Sequence, residues 1–206
     1  MPLVIGLTGS IGCGKSHVLE TLVALGAEGI DADVIAHDVI APGGPAYQPL
    51  IEAFGDGVVR PDGTIDRAKL GAVVFQDPAA LARLEGIIHP AVYEVTKARV
   101  RSSKAPVIVI EAIKLLEAGL NVSLCDQVWV TVCSEAAQID RLARSRGMTG
   151  DEVRRRRDSQ MPQELMARAA DRIIDTNGTL AETDEKVRQA WLELGLPLPS
   201  KADEDA

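Results

Sequence analysis

Residues 9–16 read Gly9-Ser10-Ile11-Gly12-Cys13-Gly14-Lys15-Ser16 and match the pattern GxxxxGK(S/T) at every fixed position. An apolar run, Leu3–Leu7, precedes this octapeptide, and a helical stretch, Ser16–Leu25, follows it. A strand, a glycine-rich loop and a helix in this order turn backbone N–H groups inward around phosphate oxygens, and the positive end of the helix adds to the attraction. The sequence therefore predicts a phosphate-binding loop; the alternative is a glycine turn in front of an ordinary helix.

The residues of this loop have predicted roles in binding ATP and Mg²⁺. Lys15 is expected to reach the β- and γ-phosphates as a point charge, and Ser16 to place its hydroxyl on Mg²⁺. His17 comes next, although an ordinary residue of the first helical turn explains it better than a ligand does. The predicted nucleotide contacts are Gly9, Gly12, Cys13 through its backbone, Gly14, Lys15, Ser16 and His17.

Short apolar runs alternate with helical stretches along most of the chain, which predicts an α/β fold whose parallel sheet is covered on both faces. Helices are predicted at Glu135–Arg146 and at Thr179–Leu194, which closes the domain. We expect three layers around a five-stranded parallel sheet of the P-loop kinase type, in a single domain over residues 1–206. The predicted strands are Leu3–Leu7, Glu28–Ile30, Val107–Ile110, Val128–Val132 and Arg172–Asp175.

Two segments interrupt this alternation. Residues 33–103 contain no convincing strand, and we interpret them as a helical substrate lobe inserted between the second and third strands. Residues 145–170 are rich in arginine and lack strong apolar periodicity, which indicates a mobile lid, and residues 201–206 form an acidic tail. The helices predicted in the lobe are Val34–Ile40, Ala46–Phe54, Ala68–Phe75 and Pro78–Val100.

The composition narrows the class of ligand. The formal net charge is −8 and the aromatic residues are few (2 Trp, 2 Tyr, 2 Phe), so neither a basic footprint nor a set of stacking platforms favours nucleic acid. A local cluster of donors can still bind a small anionic substrate. Three cysteines without CxxC spacing indicate a reducing compartment, and no apolar run reaches membrane-spanning length. We expect a cytoplasmic protein without a membrane partner; its oligomeric state stays open.

Several classes of protein use a phosphate loop. A guanine-specific switch carries an Asn-Lys-x-Asp signature, which this sequence lacks, and 206 residues are too few for most motor ATPases. A small-molecule kinase fits the size of the chain and the inserted lobe. The metabolite that such a kinase phosphorylates stays open, and a nucleoside monophosphate is one candidate. A nucleotide-binding regulator without transfer activity is a second hypothesis, from another class of protein.

A family resemblance extends along nearly the whole chain, to about Leu194. The segments that carry it are Gly6–Ser16, Asp31–His37, Asp62–Arg67 with Leu70 and Phe75, Leu84–Pro90 and Ala170–Gly178. In this order they resemble the dephospho-CoA kinase family, a far more specific match than the phosphate loop alone. The resemblance implies ATP-dependent phosphorylation of the ribose 3′-hydroxyl of dephospho-CoA, the last step of coenzyme A synthesis, by in-line transfer of the γ-phosphoryl group.

Asp33 is the candidate carboxylate that orients or deprotonates the attacking hydroxyl, because it follows the second strand, near the sheet edge where ligands bind. Asp31 is either a strand-end cap or a water-mediated magnesium contact, and a helix N-cap is the alternative for both residues. His37, one helical turn after Asp33, and His89, before Pro90, are candidate substrate contacts. A hydrogen-bonded structural histidine explains each of them at least as well.

The segment Glu111–Glu117 departs from the usual family pattern, which is closer to Asp-x-Pro-Leu-Leu-x-Glu. Glu111 replaces the aspartate at the end of an apolar strand, where it can contact Mg²⁺ through water. Lys114 replaces a leucine and is an unexpected cation close to the site.

Among the arginines, Arg141 is the candidate for neutralising charge on the transferring group, because it lies at the entry of the predicted lid. The run Arg154–Arg157 is expected to be a mostly solvated helix, with Arg154 able to pair with Asp158 at i, i+4. Asn177 and Gly178 end the last strand and are expected to shape the adenine side of the nucleotide site, with a tight turn as the alternative.

Overall fold

The structure is a computed structural model that describes residues 2–119 and 121–199. The predicted acidic tail, residues 201–206, lies outside the described residues. The strands are β1 (Leu3–Gly9), β2 (Glu28–Asp31), β3 (Val107–Glu111), β4 (Gln127–Val132) and β5 (Arg172–Asp175). The α-helices are α1 (Lys15–Ala24), α2 (Ala32–Asp38), α3 (Tyr47–Phe54), α4 (Arg67–Val74), α5 (Pro78–Ser102), α6 (Leu115–Ala118), α7 (Glu135–Arg146), α8 (Gly150–Asp158), α9 (Gln163–Arg168) and α10 (Leu180–Glu193). Two short 3₁₀ helices lie at Asp56–Val58 and Asn121–Leu124.

The strands form one parallel sheet in the order β2-β3-β1-β4-β5, which confirms the predicted fold class. Strand β1 is central, and its register pairs Leu7 with Glu111 of β3 and Gly9 with Thr131 of β4. β1 runs two residues past its predicted end because Gly9 still pairs with β4. The loop after Gly9 therefore leaves the middle of the sheet, where the carboxyl ends of β3 and β4 flank it.

Alternate residues of the strands face opposite layers of helices, as the pleat requires. On one face, buried side chains of β1 and β4, including Leu7 and Trp129, pack against α1 and α10, including Leu22 and Trp191. On the other face, side chains of β4 pack against Met166 of α9. Both faces of the sheet are covered, which explains why the strands could be recognised as continuous apolar runs.

The chain divides into two compact units, which we call the sheet unit (Met1–Ile30 with Ser102–Ala206) and the helical unit (Asp31–Arg101). The helical unit contains α2 to α5, and the four helices predicted there are confirmed to within two residues. Asp66 caps α4 by accepting from the backbone N–H groups of Ala68 and Lys69, both at 3.1 Å. Tyr47 Oη donates to the Gly63 carbonyl at 2.5 Å, which fixes a turn. A role of this unit as a substrate lobe stays a prediction.

Replacement of Gly9 by alanine is expected to destabilise the sheet unit. A Cβ at this position would lie 2.2 Å from Thr131 Oγ1 and 2.6 Å from the Thr131 carbonyl oxygen, and the backbone φ is +152°. We expect Gly9→Ala to lower the free energy of unfolding by about 1–3 kcal/mol, as overpacking does. The midpoint of urea unfolding, followed by far-UV circular dichroism, measures the change.

Gly86→Ala is the matched control for this substitution. Gly86 lies inside α5, and a Cβ there would meet nothing within 4 Å. Because alanine favours helix more than glycine does, we expect Gly86→Ala to raise the free energy of unfolding by about 0.5–1 kcal/mol. An unchanged midpoint for Gly9→Ala would contradict the predicted clash with β4.

Candidate active site

The loop between β1 and α1 has the geometry of a phosphate cradle. Gly12 and Gly14 have φ angles of 76° and 72°, a backbone conformation that side chains disfavour, and Gly14 is the N-cap of α1. The Cys13 N–H donates to the Ser10 carbonyl at 3.2 Å, which closes the loop. Helix α1 begins directly after the loop, so the site combines the N–H groups of the first helical turn with the positive end of a helix dipole.

Lys15 and Ser16 occupy the positions that the sequence predicted for them, at the start of α1. The Lys15 side chain is only 8% exposed, and its Nζ donates to the Gly9 carbonyl at 3.0 Å. This contact holds the ammonium group beside the loop that it is predicted to serve. Ser16 is exposed in the first turn of α1, where its hydroxyl is accessible to a ligand.

Glu111 closes β3 next to β1, which carries the phosphate loop. Glu111 is 9% exposed, and it pairs in register with Leu7 of β1. Leu7 lies two residues before Gly9, where the phosphate loop begins. A carboxylate in this position lies at the carboxyl edge of the sheet, the edge from which the phosphate loop also leaves. Lys114 lies three residues further on, exposed at the N-cap of α6.

Three glutamines hold the back of the phosphate loop, and the sequence analysis did not single out any of them. Gln138 of α7 is 2% exposed, and its Nε2 donates to the Ile11 carbonyl at 2.9 Å. Gln160 Oε1 accepts from Ile11 N at 3.0 Å and from Ser10 Oγ at 3.1 Å. Gln163 Oε1 accepts from the backbone N–H of Cys133 at 3.0 Å, and it lies 3.4 Å from Cys13 Sγ of the loop. These side chains tie the loop to α7 and to the segment predicted as a lid.

Arg141 connects the phosphate loop with the loop that follows β5. Its Nη1 donates to Thr176 Oγ1 at 3.1 Å and to the Gly12 carbonyl at 3.4 Å, and its Nη2 donates to the Thr176 carbonyl. Thr176 in turn donates to the Cys13 carbonyl at 3.2 Å. Arg141 therefore lies next to the cradle, and Thr176, like the three glutamines, is a residue that the sequence analysis did not single out.

Asn177 and Gly178 follow β5 and belong to the same connection. Asn177 Oδ1 accepts from the Ser134 N–H at 2.8 Å, and its own N–H donates to Asp175 at 2.8 Å. Asn177 thus joins the end of β5 to the start of α7. This supports the tight-turn interpretation, while contact with adenine stays a prediction.

His17 directs its side chain toward α10. Its Nε2 lies 2.9 Å from Asp184 Oδ1, although the relative orientation is not that of a hydrogen bond. Thr21 Oγ1 donates to the same carboxylate oxygen at 2.7 Å. The side chain therefore packs as an ordinary helix residue, and a phosphate contact of His17 would have to come from its backbone.

The predicted lid, residues 145–170, contains α8 and α9. Thr149 and Glu152 form a capping box at the start of α8, which explains how this charged segment is helical without strong apolar periodicity. Val153 of α8 is buried against Ile11 and Leu142, so α8 rests on the phosphate loop and on α7. Its mobility stays a prediction.

Two arginines of α8 pair with one acidic residue of α7. Arg154 Nε lies 2.8 Å from Glu135 Oε1, and Arg157 contacts the other carboxylate oxygen of Glu135. These guanidinium groups hold the pKa of Glu135 below its usual value, and Glu135 raises the pKa of both arginines. The i, i+4 pair suggested between Arg154 and Asp158 does not form. Arg154 instead pairs with Asp151, three residues before it, and Asp158 pairs with Arg157.

A polar cavity of about 580 Å³ opens beside the phosphate loop. It is bounded by the loop, the start of α7 and the lid segment. The lining includes Ser10, Cys133, Glu135, Gln138, Arg157 and Gln160. The cavity therefore brings one loop residue, Ser10, together with a lid arginine and a buried thiol.

The remaining predicted residues lie in the helical unit. Asp31 is the N-cap of α2, and its Oδ1 accepts from Val34 N at 2.9 Å. Asp33 lies in the first turn of α2 and is exposed. His37 lies in the last turn of α2, and Arg67 Nη1 is 2.7 Å from its Nε2. Because guanidinium only donates, that ring nitrogen accepts. His89 is half-buried on α5, one residue before Pro90, which lies inside the helix.

Comparisons with known proteins agree with one another. The sequence model of the dephospho-CoA kinase family matches residues 3–182. A dephospho-CoA kinase of Thermobifida fusca is 42% identical over 202 residues, which cover 97% of this chain and all of that protein. The crystal structure of TT1252 from Thermus thermophilus superposes with a TM-score of 0.81 at 28% identity, covering 94% of this chain and 98% of that one. The dephospho-CoA kinase from Campylobacter jejuni gives 0.67 at 25% identity, with the same coverages.

Proposed function

The chain belongs to the dephospho-CoA kinase family, and we propose that its phosphate loop, Asp33 and Arg141 carry out separate parts of the family's reaction. That reaction is the ATP-dependent phosphorylation of the ribose 3′-hydroxyl of dephospho-CoA, which gives coenzyme A in the last step of its biosynthesis. The observation that carries the proposal is the glycine loop with Lys15, placed at the carboxyl end of the central strand of the sheet.

The phosphate loop binds the triphosphate of ATP in this proposal. Its inward N–H groups and the first turn of α1 supply donors that need no rearrangement when charge develops on the transferring group. Lys15 adds a full positive charge, and its link to the Gly9 carbonyl keeps it within the loop. Little covalent chemistry is required of the protein, because phosphoryl transfer depends chiefly on position and charge neutralisation.

Mg²⁺ fits the residues at this edge of the sheet. Ser16 offers a hydroxyl in the first turn of α1, and Glu111 offers a carboxylate at the end of β3. Among the described residues, no group of three acidic, histidine or cysteine side chains could hold a metal by itself, so phosphate oxygens and water would complete the coordination. When bound, Mg²⁺ would neutralise charge on the phosphate oxygens.

Asp33 orients the acceptor hydroxyl and accepts its proton in this proposal. Asp31 is the N-cap of α2, and its carboxylate accepts from Val34 N. Asp33 lies two residues further along, with an exposed side chain in the first turn of α2. A carboxylate there can accept a hydrogen bond from an alcohol and take its proton as the new bond forms.

Arg141 and the lid arginines supply positive charge around the transferring group. Arg141 already donates to the Gly12 carbonyl of the loop, and Arg157 lines the cavity beside Ser10. A phosphate group entering this cavity would compete with Glu135 for Arg157. His37 and His89 remain proposed substrate contacts in the helical unit.

We also propose a cytoplasmic location. The support is the sequence itself, whose three cysteines without CxxC spacing predict a reducing compartment. Within residues 2–119 and 121–199, no helix is both long and apolar enough to cross a membrane.

A panel of acceptors tests the proposed activity. Purified protein with ATP and Mg²⁺ is expected to release ADP with dephospho-CoA and to leave adenosine and nucleoside monophosphates essentially unreacted. Phosphorus NMR of the product should place the new phosphoryl group on the ribose 3′-oxygen. Robust turnover of a nucleoside monophosphate with none of dephospho-CoA would contradict the assignment, and ATP binding without any product would favour a regulator. The variant Lys15→Ala, purified in parallel, controls for a contaminating kinase.

A further inference from the structure

Two buried thiols meet at the phosphate loop. Cys13 is the fifth residue of the loop, and Cys133 is the first residue after β4. Their Sγ atoms are 2.7 Å apart, closer than two sulfur atoms approach without a strong interaction, and the residues are 0% and 4% exposed. Both belong to the sheet unit, and 119 residues separate them in sequence, so the fold itself brings them together.

The surroundings make the two thiols unequal in acidity. Gln138 Nε2 lies 3.3 Å from Cys13 Sγ and can donate to it, and Gln163 Oε1 lies 3.4 Å from the same sulfur and can accept from it. The hydrogen bond from Cys133 lowers the pKa of Cys13, and Gln138 and the charge of Lys15 contribute to this shift. The same contact and burial raise the pKa of Cys133. Cys13 is therefore the more acidic thiol of the pair and the better nucleophile of the two.

We propose that Cys13 and Cys133 form a reversible disulfide across the phosphate site when the protein meets a small peroxide. The Cys13 thiolate attacks one peroxide oxygen, an S–O bond forms, the O–O bond breaks, and hydroxide leaves with a proton as water. The Cys133 sulfur then attacks Cys13, the S–O bond breaks, and a second water leaves with the Cys133 proton. Two thiols and one hydrogen peroxide thus give one disulfide and two waters.

The third cysteine provides an internal contrast. Cys125 is half-buried, its Sγ donates to the Asn121 carbonyl at 3.4 Å, and burial raises its pKa to about 12. It therefore remains a thiol at neutral pH and has little reactivity toward peroxide. Cys133 lines the 580 Å³ cavity, which admits a molecule as small as hydrogen peroxide. Cys13 itself is not in the lining, but its Sγ lies directly behind Cys133 Sγ, at 2.7 Å, so peroxide reaches the pair from the Cys133 side.

Disulfide formation would disturb phosphate binding. The two sulfurs must close from 2.7 Å to about 2.05 Å, which moves Cys13 toward the end of β4. Cys13 lies between Gly12 and Gly14, and the Cys13 carbonyl accepts from Thr176 Oγ1. A displacement of this size changes the direction of the loop N–H groups. Misplacement by about 1 Å can cost on the order of 10²-fold in rate, so we expect a loss of about 10- to 100-fold in kcat/KM for ATP.

Peroxide titration of the purified protein tests the proposal. After treatment and removal of peroxide, the thiol count of the denatured protein should fall from three to one, and peptide mapping should show a Cys13–Cys133 link. ATP affinity, measured by calorimetry, and kcat/KM should fall together, and dithiothreitol should restore both. Thiol count and ATP affinity are read without an acceptor, so they test the disulfide even if the proposed acceptor is wrong.

Variants at Cys133 and at Cys125, each compared with its own untreated sample, give the controls. Cys133→Ser should keep its ATP affinity through peroxide treatment, and Cys133→Ala serves the same purpose if the serine variant does not fold. Cys125→Ser should be inactivated and rescued like the parent protein. Inactivation of Cys133→Ser or Cys133→Ala to the same extent as the parent, or irreversible sulfinic acid at Cys13 without the cross-link, would overturn the proposal.

Discussion

Lys15→Ala is expected to lower kcat by about 10²–10³-fold, the loss that follows removal of one preorganised group that stabilises transition-state charge. Lys15 is the only lysine or arginine within the phosphate loop, and its Nζ lies 3.0 Å from the Gly9 carbonyl. Its ammonium group is therefore positioned before the nucleotide binds. Initial rates of ADP formation at saturating ATP and dephospho-CoA measure the effect.

Two further lysine variants show whether charge alone or its position matters. Lys104→Ala removes an exposed lysine three residues before β3, at the opposite edge of the same sheet, and should leave the rate near that of the parent. Lys15→Arg keeps the charge but replaces a compact ammonium by a planar fork, so it should remain strongly impaired. Near-normal turnover by Lys15→Ala, with thermal unfolding unchanged, would remove Lys15 from the mechanism.

Asp33→Asn is expected to lower kcat by about 10²–10⁴-fold, the contribution of a positioned general base, with little change in ATP affinity. The amide keeps the size of the side chain and can still accept a hydrogen bond from an alcohol, but it cannot take the proton. The split between kcat and the dissociation constant for ATP is the informative readout. Single-turnover rates and calorimetric titration with ATP measure the two quantities separately.

Asp38→Asn is the matched control for Asp33→Asn. Asp38 is an exposed aspartate that ends the same helix, α2, so the substitution makes the same change in charge five residues away. We expect its kcat to stay close to that of the parent protein. If both variants lose activity equally, the effect belongs to the charge of α2 rather than to Asp33. If neither does, Asp33 is not the base.

The phosphate loop could be recognised from the sequence because its function depends on backbone shape, which the spacing of glycines, Lys15 and Ser16 records directly. The strands could be recognised because both faces of the sheet are covered, which leaves runs such as Val107–Ile110 almost purely apolar. In both cases, one contiguous stretch of sequence contains all the residues from which the loop or the strand is recognised. For Asp31, the helix N-cap was one of the alternatives that its position left open, and the structure contains that cap.

Residues that act through distant contacts could not be found in this way. Gln138, Gln160 and Gln163 come from different parts of the chain and meet only at the phosphate loop. A single glutamine on a polar helix face looks the same in the sequence whether it faces solvent or a buried carbonyl. Local spacing also favoured Asp158 as the partner of Arg154, whereas the fold brings Glu135, 19 residues away, into contact.

The positions of the aromatic residues give the two units separate optical signals. Both tryptophans, Trp129 and Trp191, lie in the core of the sheet unit, while both tyrosines, Tyr47 and Tyr93, lie in the helical unit. Fluorescence excited at the red edge of the tryptophan absorption band therefore reports on the sheet unit alone. Tyrosine absorbance reports on the helices between residues 31 and 101. Melting curves recorded with both probes would reveal, without any added label, whether the halves of this kinase lose their structure together.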